Sequence, residues 1–134
     1  MNKKQSAEWY IAGTHWLTSM IFAGITGAIA LFLLAVITQD PTVLLIGTIV
    51  AYPLLMWAAV KYSANFINKR YVIANPQNIV NLSSIFLLIV AGGYRGYAFA
   101  NGANGALAIA SAIGFFAALV VFYLASKKYV LKNN

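Results

Sequence analysis

Cysteine is absent from the 134 residues. Structural disulfides and thiolate chemistry are therefore excluded, and the redox compartment leaves no mark on the sequence. Acidic residues are nearly absent as well, with Glu8 and Asp40 the only two. There is no paired carboxylate, no His/Cys cluster spaced for a metal, no nucleophile beside a base and no phosphate-binding glycine loop. The expectation is a chain that is not an enzyme and needs no cofactor. Charge of either sign is scarce, at 8% of residues, against about 25% in soluble domains. A soluble domain needs a charged shell, and nine basic plus two acidic side chains cannot supply one. The net charge of +7 does not point to nucleic acid, because the basic residues are dispersed among tails and loops and form no dense patch.

What the chain has in quantity is apolar sequence, 62% of its residues. Four runs stand out: 17–37, 43–60, 79–97 and 105–125. Each is near the roughly 20 residues a helix needs to cross the hydrocarbon of a bilayer. Helices are required there because lipid offers no partner for backbone N–H and C=O groups. The first run is too long for the core of a cleavable signal peptide, and no clear cleavage site follows it. The third is the weakest, interrupted by Asn81, Ser83, Ser84 and Arg95. The predicted fold is all-α: an integral membrane four-helix bundle built of two transmembrane hairpins, forming a single transmembrane domain over residues 1–134.

Punctuation between the runs supports these limits. Asp40-Pro41 reads as an N-cap followed by proline at the first helical position, and Asn75-Pro76 repeats the device. Ser6 is expected to cap an early start of the first helix, with Ala7–Trp16 as an interfacial lead-in. Asn104 is expected to cap the last helix. Orientation follows from the basic residues. Lys3, Lys4, Lys61, Lys69, Arg70, Lys127, Lys128 and Lys132 fall on one side of an even number of spans, and the remaining basic residue, Arg95, on the other. Both termini are therefore expected in the cytoplasm, with the protein in the plasma (inner) membrane. That placement would leave the sequon Asn81-Leu82-Ser83 unglycosylated.

A second level of pattern concerns helix contacts. Lipid is as apolar as leucine, so membrane helices associate by close approach of small residues and by polar contacts. Ser19, Ala23 and Gly27 form one stripe at four-residue spacing, and Ala106, Ala110 and Gly114 another. Both are expected to face other helices, either in the same chain or in a second copy. Pro53 removes a backbone donor inside the second run and predicts a kink. Residues 69–75 and 127–133 both fit Lys-[Lys/Arg]-Tyr-Val-[Ile/Leu]-x-Asn, which suggests a parallel duplication of the hairpin or merely recurrent basic-aromatic exits from a membrane.

Few residues are left to carry chemistry. Glu8 and His15 share a helix face and are expected at the wet interface, where they would form a proton relay at most. Arg95, close to the end of the third run, is placed to snorkel to headgroups and to pair with Asp40; read functionally, it marks an anion or gating site. Asn78, Asn81, Ser83 and Ser84 give the third run a polar start. Arg95, Asn81 and Ser84 are thus the candidate binding residues. Two functions fit: a non-catalytic membrane component, such as an accessory or scaffold subunit, or a small oligomeric transporter or channel for an ion or small solute. The lipid bilayer is the expected partner in either case, together with a further copy of the chain or another membrane protein.

Overall fold

A computed structural model describes residues 3–133. It contains α1 (Glu8–Thr38), α2 (Pro41–Arg70), α3 (Pro76–Leu87), a π-helical turn (Leu88–Gly92), α4 (Gly93–Ala100) and α5 (Ala106–Tyr129). α3, the π turn and α4 run on as one rod, Pro76–Ala100, so four helical rods are long and apolar enough to cross a membrane. The chain is an all-α four-helix bundle of the multi-pass membrane type. α1 packs on α2 and α3, while α5 packs on α2 and α3. The rods therefore close a ring in which α1 and α5 lie on opposite sides of α2.

The helices are longer than the apolar runs, because helices continue past the hydrocarbon wherever caps and tertiary contacts hold them. Asp40 caps α2, accepting from Thr42 N at 2.8 Å, and Asn75 caps α3, accepting from Asn78 N at 3.3 Å. Two expected caps are not formed. α1 begins after Ala7, not Ser6, and α5 after Gly105, not Asn104, each without a side-chain cap. The segment before Trp16 does continue the first helix, as an early start implies. It is helical from Glu8, because Ile11, Ala12 and His15 are buried against the bundle. The α1–α2 connection is only Gln39 and Asp40, and its tightness puts Gln39 in the left-handed region at φ 49°.

The bundle is inverted relative to a soluble one. On α1, Leu17, Ile21, Ile25, Ile29 and Leu33 form an exposed stripe, while Ser19 and Gly27 on another face are buried. Large apolar side chains face outward, as lipid permits, and small ones let the helices approach. Both small-residue stripes meet α2 of the same chain. A Cβ on Gly27 would touch Leu55 at 3.6 Å, and one on Gly114 would press on Tyr52 at 3.0 Å and Thr48 O at 3.3 Å. Ala110 is buried and Ala23 half-buried, whereas Ala106 at the start of α5 is exposed. α2 runs unbroken through Pro53, whose missing N–H removes the bond to Ile49 O, next to the point where Gly114 approaches the α2 backbone.

The end of the bundle that carries both termini is sealed by extended backbone. Lys4 pairs in parallel with the α2–α3 linker, its N–H donating to Arg70 O at 2.8 Å and its carbonyl accepting from Val72 N at 3.1 Å. Ile73 pairs antiparallel with Asn133, with N–H to O distances of 3.2 and 3.0 Å. Asn68 donates to Tyr129 O, accepts from Leu131 N and, through its carbonyl, accepts from Asn133 Nδ2. The two similar heptads, 69–75 and 127–133, thus bind each other across this end.

Candidate functional site

Two polar centres lie inside the bundle. The first is His15. Its ring is fully buried between α1, α2 and α5, with Nδ1 2.9 Å from Ser63 Oγ and Nε2 2.9 Å from Ser126 Oγ. Ser63 Oγ lies 2.8 Å from the His15 carbonyl and donates to it, as does Ser19 Oγ at 2.8 Å. A hydroxyl has one proton, so Ser63, already donating to that carbonyl, accepts from Nδ1–H. Ser126 then donates to Nε2. This assignment satisfies both ring nitrogens of a neutral imidazole and ties three helices together. Phe122 packs against the ring, centroids 5.5 Å apart.

This placement corrects the expectation of a wet His15 paired with Glu8. Glu8 instead accepts from Asn78 Nδ2, linking the start of α1 to α3. A relay between the two would need His15 at the surface, and the helix that begins at Glu8 carries it inward instead. Sequence reasoning also passed over Ser63 and Ser126, each of which sits at a four-residue interval from buried neighbours, Ala59 and Ile67 for one and Phe122 for the other.

The second centre is Arg95, on α4. Its guanidinium lies over the Phe115 ring, 4.5 Å from the centroid, and Nη1 donates to Ala91 O at 3.2 Å. Nε is buried and has no partner. At about 1.5 Å per residue, Arg95 sits roughly 9 Å short of Asn101, where the helix ends. Because Ala91 is one turn back, the side chain runs away from that end, towards the middle of the bundle. It does not snorkel outward, and Asp40 is occupied as the cap of α2. Arg95 closes one side of a cavity of about 140 Å³, whose walls include Gly24, Tyr52, Met56, Leu87 and Phe115. The π turn immediately precedes α4; such widened turns recur at functional positions in helices.

The three candidate binding residues do not converge. Asn81 is exposed and accepts from Gln77 Nε2 at 2.8 Å. Ser84 lines a different, wholly apolar groove with Leu88, Leu119 and Tyr123, and its buried hydroxyl has no partner. Ser83 is buried and bonds back to Ile79 O at 2.8 Å. Only Arg95 faces an internal cavity. Among the described residues there is no group of three or more His, Cys, Asp or Glu able to hold a metal ion. Compared with protein-family models, curated proteins and solved structures, the chain matches none.

Proposed function

We propose that this multi-pass membrane protein is a non-catalytic component of the plasma (inner) membrane, an accessory or scaffold subunit with both termini in the cytoplasm. The observation that carries this reading is the His15–Ser63–Ser126 tie. It commits the chain's one imidazole to holding helices together, with both ring nitrogens satisfied. Glu8 and Asp40 are committed in the same way, to Asn78 and to the α2 cap. A coupled transporter needs a titratable group that changes partners, and an enzyme needs a base with a free lone pair. The side chains best able to serve either purpose are spent on architecture. The basic residues at the termini-bearing end support the cytoplasmic orientation by the positive-inside rule.

A second reading, a small transporter or channel, draws on the Arg95 cavity. Four helices enclose little volume, so that reading would require further copies of the chain. Flux through liposomes containing the purified protein separates the two. Absence of ion or small-solute flux, together with co-purification of a defined membrane partner, is the expected result; robust flux would sink the scaffold reading.

A further inference from the structure

We infer that the Arg95 cavity is a binding site for an oxyanion, the phosphate of a lipid headgroup or a free inorganic oxyanion, entering from the side of the bundle. Charge bookkeeping is the first support. The chain has two acidic side chains. Glu8 is bonded to Asn78 at the other end of the molecule, and Asp40 caps α2. Arg95 is thus a cation within a membrane-crossing rod whose own chain commits its carboxylates elsewhere. Such a charge in an apolar setting calls for a counter-charge.

Geometry is the second support. Nη1 donates to Ala91 O, and the guanidinium lies over the Phe115 ring. Nε is closed in by protein and has no acceptor, so the donors left for a ligand are those at the Nη2 end. Guanidinium N–H donors in that planar arrangement match the oxygens of a phosphate. The site is therefore oriented by its own fold, with one donor anchored and one end unspent.

Access is the third. The cavity is bounded by Gly24, which is exposed and whose missing side chain leaves open space around it. The portal therefore opens sideways between α1 and the third rod, where a lipid headgroup or a small anion can reach it. The cavity, of about 140 Å³, has room for a small oxyanion. This inference stands apart from the scaffold reading, since a bound anion needs no flux.

The test uses the full-length protein purified in an uncharged detergent, with thermal unfolding followed by circular dichroism. Inorganic phosphate is titrated against chloride at constant ionic strength in one arm, and phosphatidylglycerol is added to the micelles in the other. Ligand at a hundredfold excess over Kd is expected to raise Tm by at least about 5 °C. A shift with phosphate identifies a free oxyanion, and a shift with phosphatidylglycerol alone identifies the headgroup. Gly24→Leu fills the portal while keeping Arg95, and Arg95→Gln removes the guanidinium; either should abolish the shift. Gly24→Leu keeps the question decidable if Arg95→Gln does not fold. No shift in the wild type, or an equal shift in Gly24→Leu, as binding to the terminal lysines would give, overturns the inference.

Discussion

Replacing His15 by alanine tests the three-helix tie most directly. The ring is fully buried, and its loss removes two interhelical hydrogen bonds, to Ser63 and Ser126. Interhelical hydrogen bonds in membrane proteins average about 0.6 kcal/mol each, so this part contributes only about 1 kcal/mol. The void beside Phe122 weighs more, since emptying a buried site of a large side chain costs about 2–5 kcal/mol. The expected total is about 3–6 kcal/mol, and it partitions in a recognisable way. Ser63 keeps its bond to the residue-15 carbonyl, which survives the substitution, so Ser63 is not orphaned. Ser126 loses its one assigned partner. Ser126→Ala alone should therefore cost about 1 kcal/mol or less, and in the His15→Ala background close to nothing. Reversible unfolding in mixed micelles, followed by circular dichroism, gives the four free energies of this cycle. If Ser126→Ala is equally destabilising in both backgrounds, the two side chains are not coupled. If His15→Ala costs under about 1 kcal/mol, the imidazole does not hold the bundle.

Other substitutions probe the remaining contacts. Gly114→Leu drives a side chain into Tyr52 and the α2 backbone and should cost about 1–3 kcal/mol in the same unfolding assay. Gly96→Ala meets open space and should be neutral or stabilise by up to about 1 kcal/mol through helix propensity; equal effects at the two glycines would contradict the packing of α5 on α2. Asn68→Ala removes the side-chain bonds to Tyr129 O and Leu131 N but leaves the Asn133 Nδ2 bond to the residue-68 carbonyl, and hydrogen exchange at the Leu131 amide should accelerate at least tenfold while exchange in α1 is unchanged. Because the chain lacks cysteine, Lys132→Cys and Asn101→Cys each give a single label site. A membrane-impermeant maleimide added to intact cells should label the second and not the first, and the reverse pattern would invert the topology.

The spans were legible because apolar length and the Asp40-Pro41 and Asn75-Pro76 signals report on local physics. The early start of α1 was legible as well, though it follows Ala7 and not Ser6; how far α2 runs on, to Arg70, was not, since that depends on what the helix touches once assembled. Arg95 shows the same limit. Its distance from Asn101 permits outward snorkelling, but the Phe115 face and Ala91 carbonyl draw it inward. Ala91 is a local partner, one turn back, but Phe115 comes from another helix and is known only from the fold. Asn81 and Ser84 share a face of α3, yet Asn81 is exposed and bonded to Gln77 while Ser84 lines an apolar groove, because a three-residue step carries the side chain about 4.5 Å along the helix axis, away from the polar end.

The small-residue stripes say more than their sequence pattern first suggests. Continued backward at the same interval of four, Gly27, Ala23 and Ser19 lead to His15. Continued forward, Ala106, Ala110 and Gly114 lead through Ala118 and Phe122 to Ser126. Both stripes thus end on residues that hydrogen-bond each other, 2.9 Å apart. Helices that approach closely along small residues bring their last inward-facing side chains within reach, and in an apolar interior a polar side chain placed there must find a partner. Close approach and the His15 tie are therefore one feature. The buried residues follow it: on α1 they stop at Gly27, on α2 they start at Thr48, and on α5 they start at Ala110, while α4 has none. Beyond those points no residue is fully buried, although α1 and α2 still touch where Leu34 packs on Gly47, and Arg95 lies where the packed half gives way to the looser one. A cation at that boundary is held by Phe115 from the packed side and is reachable past Gly24 from the open side, which is the arrangement a laterally entered anion site requires.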